Sequence, residues 1–281
     1  MSRGQNALKR VRTLGRIARK LRLIAASDLV SGDKLRYLLN TASGEAGVCA
    51  YRLRGGVNRL VTSVALRRGT TDPKVFDEIF MERAYEPCVA ALPDNLGRVT
   101  LIDLGANIGL SVLFLVRALN VVEIIAVEPD PDNFRQLSEN LRRTGLANRS
   151  TAIRAFAGAK HGFAELHDSG NGAWGMRMGP FSNMGTPVLT LAEIAGVAKT
   201  GAPMVLKCDI EGAERQLFLH IRDWEHLIRY IFLELHTEFL PVQEMLACLE
   251  SSGFQWTIHG TPLAGASIAL LLLERGERRD V

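Results

Sequence analysis

The sequence predicts an α/β fold: a mostly parallel, doubly wound sheet that closes on an antiparallel C-terminal hairpin and is preceded by an N-terminal helical extension. Three observations carry this. From Val99 onward, strand-like and helix-like segments alternate, a pattern that builds a parallel sheet with helices on both faces. The apolar run "TLIDLGANIGLSVLF", Thr100 to Phe114, is cut by two glycines into strand, tight turn and helix. Finally, the chain closes on two strand patterns, "FQWTIHG" and "SIALLLLERG", joined by a turn around Pro262 to Gly265.

Each element follows from its local pattern. Val99–Leu104 reads as a strand, Gly109–Leu119 as a helix and Val122–Val127 as a second strand. "DPDNFRQLSENLRRTG" is a helix with Asp130 as its N-cap, stopped at Gly145. Thr151–Ala157 is a third strand, with "GFAELHD" a short extension of it. "LTLAEIAG" forms a helix, "PMVLKCDI" a fourth strand, "AERQLFLHI" a helix, "LIRYIFLEL" a fifth strand and "PVQEMLACLESSG" the last helix. Between them, "DSGNGAWGMRMGPFSNMG" is rich in Gly and Met and reads as a mobile loop carrying substrate contacts. Upstream, residues 28–98 are mixed. There "RLVTSVAL" is a short strand, and "DPKVFDEIFMERAY" a helix with Asp72 as N-cap, Pro73 at its first position and Val75, Phe76, Ile79 and Phe80 on one face. The expected organisation is a basic extension (1–27), a helical lid or platform (28–98) and the ligand-binding domain (99–281).

Composition narrows the function. Of 281 residues, 47% are hydrophobic and 23% charged, as in ordinary globular chains, and no apolar run approaches the ~20 residues a membrane span needs. Cys49, Cys88, Cys208 and Cys248 are scattered without metal-ligand spacing, which points to reduced thiols and a cytoplasmic setting. Net charge is +4, but residues 1–24 hold eight Lys or Arg and no acid, leaving 26 basic against 30 acidic residues elsewhere. The body therefore lacks the basic balance of a nucleic-acid enzyme, and no nucleic-acid partner is expected. In the tail, Leu8, Val11, Leu14, Ile17, Leu21 and Ile24 recur at helical spacing among the basic residues, a pattern suited to peripheral contact with an anionic membrane. An Arg-rich, acid-free start is also the pattern of an organelle transit peptide.

The strand ends carry the chemistry. In an open parallel sheet, ligands bind beyond the carboxyl ends of the strands, where strand order reverses. The first strand ends in "DLGANIG", where Gly105, Ala106, Asn107 and Gly109 form a turn able to approach a ligand closely. Dinucleotide sites favour a second glycine where Asn107 stands. Asp103 would repel pyrophosphate but suits the ammonium of an amino-acid cofactor such as S-adenosylmethionine, which carries no phosphate. Glu128, at the end of the second strand and 23 residues after Gly105, sits where an acid accepts ribose hydroxyls. At the end of the fourth strand, Lys207, Asp209 and Glu211 alternate and should point the same way, which is costly after a buried segment unless they serve each other or a ligand. Glu234 and His236 end the fifth strand at the same rim.

At this level the chain resembles the FkbM family of S-adenosylmethionine-dependent methyltransferases. The matching pieces are "LRRGTTDPKVFDEIF", "LIDLGANIGLSVLF", "AVEPDPDNFRQLSENL", "LKCDIEGAERQLF" and "IFLELH", in family order, with "KCDIEGAE" the most specific. One departure is Ala192 in "LTLAEIAG", where the family pattern has an aspartate. The resemblance implies the class I methyltransferase form of the Rossmann-like sheet and O-methylation of a sugar or secondary-metabolite hydroxyl. In that reading Asp103, Gly105, Ala106, Asn107, Gly109 and Glu128 hold the cofactor. An alcohol is a weak nucleophile, so Asp209 or His236 would take its proton, with Glu211 and Lys207 in support. A magnesium- or manganese-class ion at these residues is the less favoured alternative. An RNA methyltransferase using the basic tail, or a dinucleotide oxidoreductase, are the rival functions.

Overall fold

The alternating segments assemble into one sheet. The computed structural model describes residues 15, 17–43, 45–55, 62–168, 176–260 and 267–279. Its strands are β1 (Gly47–Leu53), β2 (Thr62–Arg68), β3 (Arg98–Leu104), β4 (Asn120–Val127), β5 (Ser150–Ile153), β6 (Phe156–Gly158), β7 (Gly162–Asp168), β8 (Met176–Ser182), β9 (Thr186–Thr190), β10 (Met204–Cys208), β11 (Ile228–His236), β12 (Phe254–His259) and β13 (Ile268–Arg278). The seven-stranded main sheet has the order β12-β13-β11-β10-β3-β4-β5. β3 lies parallel to both β10 and β4, β4 to β5, and β10 to β11. β13 runs antiparallel to β11 and β12, the predicted closing hairpin; the turn expected at Pro262 to Gly265 lies outside the described residues. The chain winds outward from β3 to β5, then resumes on the other side at β10. This reversal opens a crevice at the carboxyl ends of β3 and β10.

Burial on both faces explains the apolar strands. In β3, Val99 and Leu101 enter one hydrophobic cluster while Ile102 and Leu104 enter the other. The first cluster is covered by helices Leu110–Ala118 and Pro131–Arg143, the second by Leu191–Ala195, Glu214–Leu219 and Val242–Ser251. Asp130 caps its helix as expected, accepting from the amides of Asp132 (3.0 Å) and Asn133 (2.8 Å). Residues 28–98 are continuous with this core: Leu29, Tyr37, Tyr51, Phe76 and Phe80 pack in the same cluster as Leu110 and Phe114. Asn140, buried on Pro131–Arg143, ties the parts together. Its amide accepts from Ala65 N (2.8 Å) and donates to the carbonyls of Ala65 (3.1 Å) and Ile108 (2.9 Å).

The structure corrects four local expectations. Thr151–Ala157 is not one strand: β5 stays in the main sheet, while β6 joins a separate sheet of order β6-β9-β7-β8. "GFAELHD" is likewise not an extension, because β7 pairs antiparallel with β8 and β9 in that second sheet. Part of the expected mobile loop, Met176–Ser182, is strand β8, and 169–175 lie outside the described residues. Asp72 does not cap its helix. Its buried carboxylate instead accepts from Arg67 N (2.8 Å), Nε (2.9 Å) and Nη2 (2.8 Å), a charge-assisted set that outcompetes a helix amide. Strand β1 was not anticipated, since its half-exposed "GVCAYRL" lacks a clean alternation.

Candidate functional site

The crevice at the switch point contains a cavity of about 620 Å³. Its floor is the turn after β3. Gly105 adopts φ +72°, and a Cβ there would stand 1.8 Å from the Asp209 carbonyl oxygen. Only glycine fits, and the reason is close packing of two strand ends rather than approach to a ligand. Gly109 adopts φ +86° against Leu137, and Asn107 is also left-handed, at φ +50°. Glu128 holds this turn in shape. One of its oxygens accepts from Asn107 N (2.8 Å), the other from Asp130 N (3.0 Å) and Asn133 Nδ2 (3.4 Å). Burial pushes the Glu128 carboxyl up to about 7, against the pull of those donors.

Asp103 is sealed below the cavity and does not line it. It accepts from Ser111 Oγ (2.5 Å) and pairs with Lys207 Nζ at 3.3 Å. Burial raises its pKa, while Lys207 and Ser111 pull against that. The ammonium that Asp103 was expected to meet is therefore the one on Lys207. That lysine also pairs with Asp209 (3.3 Å) and donates to Gly105 O (2.8 Å). Burial opposes its charge, yet Asp103 and Asp209 hold its pKa well above the usual lysine range. Lys207 is the electrostatic keystone between β3 and β10.

The expected alternation of Lys207, Asp209 and Glu211 holds only for the first two. β10 ends at Cys208, and Glu211 turns left-handed at φ +53°, away from Lys207. Glu211 lies 3.8 Å from His236 Nε2 and 3.9 Å from Arg177 instead. Burial and Asp209 lift its carboxyl to about 7. His236 is 4% exposed, and its Nδ1 meets Glu214 Oε1 at 3.0 Å. Burial works against an imidazolium, but the Glu214 contact, reinforced by Asp209 and Glu211, raises its pKa to about 9. Glu214 is 0% exposed and also accepts from Ile210 N (2.9 Å) and Gly212 N (2.7 Å), so it holds both the 209–212 turn and His236.

The structure thus gathers Gly105, Ala106, Asn107, Glu128, Lys207, Asp209, Glu211 and His236 around one cavity, and leaves Asp103 and Gly109 behind it. Sequence reasoning missed Glu214, although it stands in the quoted "DIEGAE". It also missed Glu78, a carboxylate on an otherwise apolar helix face, and Arg177, which gives no signal from its strand in the second sheet. Glu78 and Glu234 line the cavity, and burial raises both, Glu234 well above the carboxylate range. Of the described residues that line the cavity, Asn107 Oδ1 and Asp209 Oδ1 are buried acceptors without a hydrogen-bond donor, and Arg177 Nε is a buried donor without an acceptor. Ligand atoms of Asp209, Glu234 and His236 lie within 4.8 Å of one another, close enough for a shared cation.

Comparison with known proteins adds one decisive match. The domain described as Methyltransferase FkbM domain matches residues 103–256. No curated protein matches the chain in sequence. Among solved structures, the chain is similar to Methyltransferase FkbM from Methylobacillus flagellatus KT at 20% identity and a TM-score of 0.43, covering 66% of this chain and 45% of that one. It therefore spans less than half of that protein's length. M. jannaschii TYW2 in complex with AdoMet is similar at 13% identity and a TM-score of 0.45, covering 84% of this chain and 89% of that one. M. capricolum TrmK in complex with S-adenosyl-homocysteine is similar at 14% identity and a TM-score of 0.41, over 69% and 68%.

Proposed function

The chain belongs to the FkbM methyltransferase family, and from that premise we propose that it methylates a hydroxyl group of a sugar or secondary metabolite. It is an S-adenosylmethionine-dependent methyltransferase, and the cavity suits that cofactor. The leftover acceptor on Asn107 needs a donor, and an amino-acid ammonium provides one. Glu128, on the opposite rim, lines the cavity with its carboxylate already oriented by backbone amides, ready for ribose hydroxyls. Asp103 contributes indirectly, by holding Lys207 under the turn.

When bound, the cofactor supplies a methyl group already activated on sulfur. The chain's own residues must then position the hydroxyl and remove its proton. The observation that carries the proposal is Asp209, which lines the cavity: one oxygen is fixed by Lys207 and the other is buried without a donor. We assign proton acceptance to that free oxygen. His236, with its pKa raised to about 9, keeps its proton at neutral pH and serves as an imidazolium that orients Glu211 and the acceptor. A divalent ion is not favoured, because Lys207 and His236 already set positive charge against Asp209. Each cavity cation already has acidic partners (Lys207 with Asp103 and Asp209, Arg177 with Glu211 and Glu238, His236 with Glu214), which supports a neutral hydroxylated acceptor rather than a polyphosphate.

Labelled S-adenosylmethionine offered with sugar and secondary-metabolite hydroxyls should yield a methyl ether, and a chelator should leave the rate unchanged. Transfer to RNA alone would overturn the acceptor class. Loss with chelator and rescue by magnesium would move the role to a metal at Asp209, Glu234 and His236.

A further inference from the structure

Strand β11 presents one carboxyl that the reaction has not yet used. On one face of the strand, Tyr230 and Phe232 enter the first hydrophobic cluster, and the same face continues beyond it as Glu234 and His236. Both of these line the cavity. Register decides what they meet. β10 and β11 pair in parallel up to Cys208 and Leu233, so the next residues along the two strands are Asp209 and Glu234. One ligand atom from each of Asp209, Glu234 and His236 falls within 4.8 Å of the others. On the other side of β11, Glu234 pairs with Leu270 and His236 with Ile268 of β13, and these two side chains give the cavity an aliphatic wall.

Each polar member of this group has an unmet demand. Asp209 Oδ1 has no donor. Glu234 is half-buried and makes no hydrogen bond or ion pair among the described residues. His236 spends Nδ1 on Glu214, and its Nε2 has only Glu211 at 3.8 Å, beyond hydrogen-bond reach. Two acceptors and one donor beside an aliphatic wall describe a ligand with an apolar ring and adjoining hydroxyls. We propose that Glu234 and His236 hold the oxygen next to the one that is methylated, so that the acceptor is a ring bearing two neighbouring hydroxyls; this rests on the hydroxyl-methylating reading above. The reacting hydroxyl faces Asp209, while its neighbour donates to Glu234 and accepts from His236 Nε2. Oxygens of neighbouring hydroxyls stand about one hydrogen-bond length apart, ~2.8 Å, a pair that acceptors within 4.8 Å of each other can grip together. A carboxyl keeps an accepting oxygen whether or not it is ionised, so the burial that raises Glu234 does not remove the contact. A divalent ion fits this corner less well. It would gain two carboxylates and one imidazole, but would face Leu270 and Ile268 in place of further oxygens and the Lys207 ammonium, 3.3 Å from Asp209.

The probes are methyl hexopyranosides, each paired with its monodeoxy analogues and offered to the full chain with S-adenosylmethionine. In kcat/KM, wild type should prefer a glycoside over the analogue lacking the oxygen next to the methylated one by at least about tenfold. Glu234→Ala should erase that preference to within about threefold, by raising KM for the glycoside, whereas Glu234→Gln keeps an accepting oxygen and should retain it. Cofactor affinity should be unchanged in both variants. A second readout needs no turnover. With S-adenosylhomocysteine bound, the same glycosides should shift the imidazole Nε2 resonance that His236→Gln removes from the spectrum. The inference is overturned if Glu234→Ala keeps the preference, or if the His236 resonance ignores every glycoside. It is also overturned if Glu234→Gln is as impaired as the alanine variant and wild type needs magnesium, which would give the corner to a cation. A His236 resonance that responds while no glycoside is methylated would instead defeat the O-methylation reading and leave the neighbouring-hydroxyl contacts standing.

Discussion

Replacing Lys207 by methionine keeps the side chain's bulk and removes its charge. Each of its pairs, with Asp103 and with Asp209, spans 3.3 Å; at an effective dielectric of about 20 such a pair attracts by about 5 kcal/mol. That attraction is offset by the cost of burying the ammonium, so the net effect is set by what remains. Asp209 keeps 24% of its side chain exposed and can rehydrate, whereas Asp103 is 0% exposed and retains only Ser111. An isolated buried carboxylate costs several kcal/mol. Asp103 can escape by taking a proton, which at pH 7 costs about 1.4 kcal/mol for each of about 3 units, so the loss is limited to roughly 4 kcal/mol. Urea unfolding should therefore show Lys207→Met less stable by about 3–4 kcal/mol at pH 7. The sign with pH follows. Folded variant binds a proton that its unfolded chain releases at neutral pH, so the gap to wild type narrows by up to about 1.4 kcal/mol per unit as pH falls toward 4. Adding Asp103→Asn should recover most of the loss. A loss below about 1 kcal/mol, or a gap independent of pH, would refute the keystone role.

Asp209→Asn should lower turnover at least ~100-fold while cofactor affinity stays within about tenfold, roughly 1.4 kcal/mol; a near wild-type rate would remove Asp209 as proton acceptor. S-adenosylmethionine should bind at low-micromolar order, about −8 kcal/mol, and Glu128→Ala should cost about 1–3 kcal/mol by calorimetry; unchanged affinity would sink the ribose assignment. Because the folded His236 pKa, about 9, lies above the free value near 6.5, its stabilising contribution is complete below pH ~6.5 and lost as pH rises to about 9. Glu214→Gln should bring the His236 titration back toward 6.5 by NMR and flatten that part of the stability profile; an unmoved titration would show that Glu214 does not set it.

Much of the fold was legible because its signals are local. The alternation of apolar runs with amphipathic helices, the Asp130 cap and the closing hairpin all depend on residues within one segment, and all are present. Local reading failed where a strand left its sheet. Nothing in Thr151–Ala157 announces that the chain crosses to a second sheet between Ile153 and Phe156, because the apolar pattern continues through the break.

The candidate site divides along the same line. By itself the sequence determined which chemistry-bearing residues stand at strand ends, since strand and turn periodicity place Gly105, Glu128, Asp209 and His236 at the same edge of a parallel sheet. Only the tertiary structure decided which charges neutralise each other. Lys207 meets the carbonyl of Gly105 across 102 residues of chain, which turns Asp103 from an expected ligand contact into a buried counter-ion. His236 meets Glu214 across 22 residues, which keeps the imidazole protonated. Periodicity sets the face on which a side chain emerges, but pairing depends on register between strands and on the turn geometry beyond them. A single left-handed residue, Glu211, was enough to divert a carboxylate from the lysine four residues earlier to a histidine on the neighbouring strand.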